Sequence, residues 1–526
     1  MLKLGSAFVL VGALLAVTYT AEAQQKRVSP HDTISAVIGG NRVTISYGRP
    51  YTKDPKSGEI RKIFGGKVVP YGAPWRAGAD EATILTTQYP LQIGDAMIPA
   101  ARVAAAIEIL AEIEMKRRPA AECLKDWGIA HRFAGSGDRS SIAALLYDSL
   151  RRKASSAWIM DDAGPRANVI GALKQLRGLS ALEIARLFTG EGHSAAPLSA
   201  KEEDRLERGD LDGAPSPVRG DYPEWLASAF EASFGAEAAD EGRALAERAP
   251  VDLRVNLLKG DRERAMASLA HLSPSPTPFS PIGLRIAISP EGRGPALAAE
   301  PAYAKGLVEV QDEGSQLSAL LSGAAPGAQV LDLCAGAGGK SLALAAMMNN
   351  QGQIYATDPD GRRLMPIFDR LERAGARNVQ VRAPKGPRDI LNDLIGRCDL
   401  VFVDAPCSGS GAWRRNPDAK WRMRPGALEQ RIKNQMEALQ QAAQFVKPGG
   451  RLVYVTCSVL RAENEDRIAA FLGEREDFLP VDAAHMARAA GQPHLAAQAS
   501  KLGAGLRLSP LQTATDGFYI AGLARS

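Results

Sequence analysis

The stretch QVLDLCAGAGGKS, residues 329–341, passes from an apolar strand through a glycine-rich turn into the start of a helix. Further strand patterns, separated by helical segments, follow at residues 353–357, 379–382, 400–404 and 452–456. This alternation predicts an α/β fold with a doubly wound, Rossmann-like sheet, in which ligands bind at the carboxyl ends of the strands. A last strand over residues 518–523 is predicted to be antiparallel.

Two strands of this sheet end in cysteines. VFVDAPCSGSG, residues 401–411, contains Cys407, and RLVYVTCS, residues 451–458, contains Cys457. Free cysteines are often small buried apolar side chains, and a redox dithiol is another alternative, although it leaves the glycine turn without a purpose. Two thiols at the ligand edge beside a nucleotide-type loop instead favour covalent chemistry next to a cofactor.

The glycine turn favours a nucleoside ligand. Gly336, Gly338 and Gly339 allow close approach of the backbone, and Asp358 ends the next strand, where a carboxylate accepts hydrogen bonds from ribose hydroxyls. The alternative is an ordinary tight turn with a solvent-facing aspartate. A phosphate-binding P-loop is excluded because Cys334 occupies the position of that motif's first glycine.

Composition sets wider limits. The 526 residues suffice for several domains, and a formal charge of +5 permits a polyanionic partner without requiring one. The five cysteines lack CxxC spacing and the six histidines are scattered, which favours reduced thiols and no metal. Beyond the N-terminus the sequence contains no run of about eighteen apolar residues, so no membrane-spanning helix is predicted there.

The N-terminal region conflicts with an enzyme that has reactive thiols. Residues 1–23 have the three parts of a secretory signal peptide, and residues 24–96 alternate as β-structure. The string SPHDTISAVIGGNRVTISYGRP, residues 29–50, resembles a bacterial domain of unknown function, here partial. Met97 is interpreted as the natural start of the enzyme. We expect the protein to be located in the cytoplasm. If a peptide map of the native protein showed that it begins at Gln24, export would be indicated instead.

The remaining chain is predicted to form three parts. Helical periodicity covers residues 97–195, a polar linker and a small α/β subdomain cover residues 196–300, and the doubly wound domain covers residues 301–526.

Four strings together carry a specific family resemblance. They are EVQDEGSQL at 309–317, LDLCAGAGGKS at 331–341, DAPCSGSGAWRRNPDAKW at 404–421 and VTCSVLRAENED at 455–466. From Met97 to the C-terminus the chain resembles the RsmB/Nop/Sun family of RNA cytosine-5 methyltransferases. The resemblance implies a Rossmann-like class I methyltransferase domain, preceded by a small α/β subdomain and an all-α NusB-like RNA-binding domain.

The resemblance also implies roles for individual residues. Cys457 would be the nucleophile, Cys407 would help to release the product, and Asp404 would lie at the floor of the site near both the base and the methyl donor. S-adenosylmethionine would be held by the loop and two acids: Cys334, Ala335, Gly336, Ala337, Gly338, Gly339, Lys340, Asp358 and Asp404. Cys334 is expected to contribute only its backbone, and Cys123 and Cys398 to be structural. Relatives have an acid after the third strand near adenine; here the sequence has Arg382-Ala383-Pro384, and Asp389 is a possible substitute.

The predicted partner is RNA, in particular ribosomal RNA, bound by a monomer. Arg414, Arg415, Lys420 and Trp421 form a basic, aromatic segment typical of single-stranded RNA contacts. The target cytosine must leave any stack to reach a thiol. The competing hypothesis is a catalytically weak RNA-binding ribosome-assembly factor with a methyltransferase fold.

Overall fold

The computed structural model describes residues 31–38, 41–48, 84–87, 97–288, 294–384 and 390–526. The chain divides into two compact units, Met1–Asp95 and Ala96–Ser526. In the first, strands β1 (His31–Ile38), β2 (Asn41–Gly48) and β3 (Ile84–Thr87) form an antiparallel sheet in that order. The alternating Val43, Ile45 and Tyr47 lie in β2, as predicted. The signal-peptide prediction for residues 1–23 lies outside the described residues.

The second unit begins with helices. They are α1 (Pro99–Lys116), α2 (Ala120–Ala130), α3 (Ser136–Arg151), α4 (Lys153–Met160), α5 (Pro165–Arg177) and α6 (Ala181–Ala185). The periodic apolar face of α1 is directed inwards: Val103, Leu110 and Ile113 are buried, and Ile107 packs against the same cluster. This part is all-α, as the 3.6-residue period indicates.

The predicted linker is more ordered than its polar composition indicates. It contains α7 (Ala200–Arg208) and α8 (Ser216–Arg219), and Leu206 of α7 is buried in the core of the preceding helices. Ser199 accepts a hydrogen bond from the backbone N–H of Glu202, whose carboxylate accepts one in return, forming a capping box. The linker prediction for this stretch was therefore wrong: a capped helix with one apolar anchor replaces it.

Two further helices, α9 (Ala227–Phe234) and α10 (Ala238–Ala246), lead into a small sheet. A 3-10 turn separates them where Gly235 has a φ of 56°. The sheet has the order β5-β6-β4-β7, with β4 (Val251–Val255), β5 (Ser275–Pro276), β6 (Gly283–Ile286) and β7 (Val308–Val310); helices α11 (Arg262–Ser268) and α12 (Pro301–Ala304) accompany it. Strand β7 forms one edge of this sheet and lies at residues 308–310, so the subdomain extends past the predicted boundary at residue 300.

The large sheet is the doubly wound sheet expected from the sequence. Its strands are β8 (Gln329–Asp332), β9 (Gln353–Ala356), β10 (Val379–Val381), β11 (Cys398–Asp404), β12 (Val446–Thr456), β13 (Phe478–Pro480), β14 (Leu506–Leu508) and β15 (Phe518–Arg525). Their order is β10-β9-β8-β11-β12-β15-β13, with β14 paired to β15. The first five are parallel, and β15 is antiparallel to β12.

Helices cover both faces of this sheet. They are α13 (Glu313–Leu320), α14 (Gly339–Met347), α15 (Ile367–Ala374), α16 (Pro417–Arg422), α17 (Pro425–Phe445), α18 (Glu465–Glu474), α19 (Ala483–Ala489) and α20 (Pro510–Thr513). One apolar cluster, with Leu439 and Phe471, lies on one face, and another, with Leu344 and Met486, lies on the other. Among the described helices, none is both long and apolar enough to cross a membrane.

The strand order reverses at β8, which has β9 on one side and β11 on the other. The loops after β8, β11 and β12 therefore emerge at one edge of the sheet, at the topological switch point where ligands bind in open α/β sheets.

Candidate active site

The two strand-end cysteines lie together. Strands β11 and β12 pair in parallel with Asp404 opposite Val455, so the chain reaches the same edge in both strands. Cys407 and Cys457 follow within a few residues, and their Sγ atoms are 3.4 Å apart, within hydrogen-bond range for sulfur. The backbone N–H of Gly411 donates to the Cys457 carbonyl at 3.0 Å, which ties the first loop to the second. Both thiols are half-buried.

The buried carboxylate of Glu463 connects the loop that carries Cys407 to the loop that carries Cys457. Each cysteine is followed by a serine, and one Glu463 oxygen accepts hydrogen bonds from the hydroxyls of both Ser408 and Ser458. The other oxygen accepts from the Ser408 backbone N–H at 2.8 Å and from Gln435 Nε2 at 3.0 Å. Glu463 is fully buried. We call this group the serine–glutamate bracket: Glu463 with Ser408, Ser458 and Gln435.

Sequence reasoning missed the bracket. Glu463 is part of the quoted string VTCSVLRAENED, but an acid in a run of acids near a helix start usually indicates a solvated helix terminus. The two Cys-Ser dipeptides were the available signal, because two serines at equivalent strand ends can share one acceptor.

Lys340 and Asp404 form an ion pair beside the thiols. Lys340 Nζ lies 2.7 Å from an Asp404 carboxylate oxygen and 5.4 Å from the centroid of the Phe518 ring. Desolvation alone would lower the pKa of Lys340, but the Asp404 carboxylate outweighs it and raises the pKa, and Cys457 acts in the same direction. The Lys340 ammonium therefore lies close enough to Cys457 for the two groups to interact electrostatically.

The two thiols differ in their electrostatic surroundings. The hydrogen bond with Cys457, desolvation, and the negative charge of Glu463 raise the pKa of the Cys407 thiol well above its ordinary value. Cys407 therefore keeps its proton at neutral pH.

The glycine loop has the shape that a nucleoside cofactor requires. Gly336 and Gly338 have φ values of 51° and 81°, and a Cβ on Gly338 would lie 2.3 Å from Ile367. The Gly336 N–H donates to a carboxylate oxygen of Asp358 at 3.0 Å. Asp358 is buried and forms an ion pair with Arg363 at 3.2 Å.

One buried acceptor of this loop has no partner. Asp332, at the end of β8, accepts from the Ser341 hydroxyl at 2.6 Å through one oxygen, and its other oxygen has none within the described chain. Burial raises the pKa of Asp332 to about 7. The loop thus combines one unfilled acceptor with the ammonium of Lys340, groups that an amino-acid-bearing nucleoside could use. S-adenosylmethionine carries an ammonium, a carboxylate and ribose hydroxyls, so the residues present fit it.

The other three cysteines are buried. Desolvation raises the pKa of the Cys334, Cys398 and Cys123 thiols, and Cys334 lies in the glycine loop itself. In the described part of the chain, no group of three or more potential metal ligands comes together.

The predicted RNA contacts need correction. Lys420 is 1% exposed and donates to the backbone carbonyls of Asp221 and Arg151. Arg414 is 6% exposed and pairs with Asp516 at 2.9 Å. Both side chains are internal, because their charges are satisfied by groups far away in the sequence. They cannot touch RNA in this structure.

The other two members of that segment are partly accessible. Arg415 pairs with Asp312 at 2.8 Å and with Asp516, so most of its donors are engaged. Trp421 donates from Nε1 to the Leu150 carbonyl at 2.7 Å, but it is half-buried and lines a cleft.

The stretch after β10, where an acid near adenine was expected, begins with Arg382. This side chain pairs with Asp393 and lies 4.4 Å from the Tyr355 ring. Asp389, the suggested substitute acid, lies outside the described residues.

Comparison with known proteins gives three family matches. Residues 320–524 match the family described as 16S rRNA methyltransferase RsmB/F, and residues 222–289 match the RsmF/B-like ferredoxin-like domain. Residues 29–104 match a family described as a protein of unknown function, DUF2911, so this match extends beyond the predicted end at residue 96.

Similar individual proteins agree. The chain is 33% identical over 308 residues to a probable ribosomal RNA small subunit methyltransferase B from Synechocystis, covering 58% of this chain and 67% of that protein. It is 32% identical over 417 residues to ribosomal RNA small subunit methyltransferase B from Xylella fastidiosa, and the match covers 74% of this chain and 92% of that protein. The crystal structure of PH0851 superimposes with a TM-score of 0.61 at 24% identity, over 81% of this chain and 99% of that one, which confirms the fold.

Proposed function

The chain belongs to the RsmB/F family of 16S rRNA methyltransferases, and from this premise we propose that it methylates carbon 5 of a cytosine in ribosomal RNA through a covalent adduct with Cys457. The cofactor is S-adenosylmethionine, which supplies an electrophilic methyl group. The observation that carries the finer proposal is the 3.4 Å separation of two thiols beside the cofactor loop.

Two thiols suit this chemistry better than other methyl transfers. Carbon 5 of cytosine is a weak nucleophile until a thiolate adds to carbon 6 and converts the ring into an enamine-like species. A methyl transfer to oxygen or to an exocyclic nitrogen requires no such adduct. The ion pair of Lys340 with Asp404 lies beside Cys457, so an ammonium group is available near the sulfur that would attack.

The remaining steps use the neighbouring groups. Asp404 would hold the polar edge of the base, while Cys407 keeps its proton. After methylation, the proton on carbon 5 passes to solvent water, the electron pair of that C–H bond forms the C5–C6 double bond, and the C6–S bond breaks to release Cys457 as a thiolate. Cys407, at hydrogen-bond distance from the departing sulfur, is the group placed to assist that release.

The test follows single turnovers with tritiated cofactor and ribosomal RNA. Cys457→Ala should abolish methyl transfer while calorimetric cofactor binding survives. Cys407→Ala should accumulate a denaturation-resistant protein–RNA adduct, because release fails. Cys123→Ala, in the distant helix α2, is the control and should behave as wild type. Turnover retained in Cys457→Ala would refute the adduct.

The altered adenine side favours a second candidate, a catalytically weak assembly factor. Arg382-Ala383-Pro384 provides no acid near the expected position of adenine. If wild-type protein binds ribosomal RNA but shows no calorimetric signal with S-adenosylmethionine, the assembly role is correct and the catalytic proposal is wrong.

A further inference from the structure

A cleft of about 440 Å³ lies between the helical region and the segment that follows the Cys407 loop. Two tryptophans, Trp225 and Trp421, contribute to its walls, and both are half-buried. Four cations also line it: Arg117, Lys153, Arg422 and Arg424. We call this the tryptophan–arginine cleft.

Its charge is unbalanced. Lys153 pairs with Glu114, and Arg422 pairs with Asp418 at 3.0 Å. Arg117 and Arg424 are exposed, and neither guanidinium has an ion pair or hydrogen bond to any described residue. The cleft therefore presents two uncompensated positive charges beside two indole rings, a combination that fits the phosphates and bases of single-stranded nucleic acid.

The walls are held in place by the residues that were expected to bind RNA themselves. Trp421 is anchored by its hydrogen bond to the Leu150 carbonyl, and Lys420 by its bonds to Arg151 and Asp221. Asp418 accepts from the backbone N–H of Ala120 at 3.2 Å. These bonds join α16 to the helical region, so the cleft needs little ordering before a ligand enters.

One helix connects the cleft to the candidate active site. Pro425, at the first turn of α17, lines the cleft. Gln435, in the same helix, donates to Glu463 and to the Pro406 carbonyl beside Cys407. Ten residues of helix span about 15 Å. A strand whose cytosine occupies the thiol site can therefore reach the cleft with nucleotides only a short way along the chain.

We propose that the tryptophan–arginine cleft binds substrate RNA next to the target cytosine, with Arg117 and Arg424 on phosphates and a base against Trp225. This proposal rests on the proposed RNA substrate and adds a second contact region to it. Because the cleft is separate from the thiols, its loss should weaken RNA binding without slowing the chemical step at saturating RNA.

The test uses the full-length protein and a fluorescein-labelled fifteen-nucleotide oligocytidylate, with binding followed by anisotropy at several salt concentrations. In R117A/R424A the slope of log K against log salt should become shallower by about 1.4, since each single-strand phosphate contact contributes about 0.7. The KM for ribosomal RNA should rise while kcat stays within about twofold of wild type.

The matched control is R397A/R488A, which removes two exposed arginines elsewhere, one of them preceding β11 at the opposite edge of the sheet. Its slope should equal that of wild type. Trp225→Ala should weaken oligonucleotide binding about 5- to 100-fold, as the loss of one base stack does. If R117A/R424A and R397A/R488A have the same slope, the cleft proposal is wrong even when the enzyme methylates RNA. Absence of cytosine methylation by wild type would overturn the proposed function instead.

Discussion

Replacement of Glu463 by glutamine tests whether the serine–glutamate bracket sets the geometry of the two thiols. The carboxylate accepts four hydrogen bonds, two from serine hydroxyls and two from N–H donors. A glutamine amide can accept the two N–H donors through its oxygen, and the hydroxyls can rotate to face its nitrogen. The side chain therefore fits, but all four hydrogen bonds lose their charge assistance.

That loss sets the expected magnitudes. A hydrogen bond to a charged group contributes about 1.5–3 kcal/mol and a neutral one about 0.5–1.5. The weakening of four bonds is partly offset because a neutral amide costs less to bury than a carboxylate, so Glu463→Gln should lower the free energy of unfolding by about 2 kcal/mol. The loops that carry Cys407 and Cys457 then have a weaker common anchor. Because a displacement near 1 Å can cost about 100-fold in rate, kcat should fall by roughly 10- to 100-fold.

The assay must separate positioning from folding. Cofactor affinity by calorimetry and the KM for RNA should stay near wild-type values, while kcat falls and the adduct fraction changes. Asp466→Asn is the control. It removes one carboxylate charge three residues after Glu463, but this carboxylate lies in an exposed ion pair with Arg461. If Glu463→Gln matches Asp466→Asn in kcat, the bracket does not control the thiols.

Two other substitutions test the buried charges by thermal or urea unfolding. Lys420→Met leaves two carbonyls without a donor and should cost about 1–3 kcal/mol of stability without changing the salt slope of RNA binding; a changed slope would restore Lys420 as an RNA contact. Burial raises the pKa of Asp332 to about 7, above its unfolded value, so its contribution to stability is full at low pH and is lost as pH rises towards about 7. Asp332→Asn should therefore gain stability relative to wild type between about pH 4 and 7, and a difference that does not vary with pH would contradict this.

Much of the site could be predicted because strand ends are visible in sequence. The apolar runs before Cys407 and Cys457 placed both thiols at one edge of the sheet, and the structure brings them together. The glycine turn and Asp358 could be paired by the same reasoning, since β8 and β9 are neighbours. Local patterns reveal where each strand ends, and the parallel strands of one sheet end at the same edge.

What could not be predicted depends on partners distant in sequence. Arg414 resembles a surface cation, because charged residues are rarely buried unless they are paired. Its partner Asp516 is 102 residues away, so no local pattern shows the pair. Lys420 is buried for the same reason, against carbonyls 199 and 269 residues away.

These buried polar groups share one geometric property: each joins a strand-end loop to a different part of the molecule. Glu463 joins the loops after β11 and β12, and Asp516 joins the first of these loops to the start of β15. Lys420 joins α16 to the helical region.

Burying such groups is costly, so apolar packing would hold these loops at a lower cost in free energy if stability were the only requirement. Directional bonds restrict loop position more narrowly than apolar contacts do, and the proposed attack on carbon 6 would need that restriction, because the sulfur must meet the ring within a fraction of an ångström. In the proposed reaction, a site held by such bonds leaves the binding energy of the RNA to extract the cytosine from its stack rather than to assemble the site.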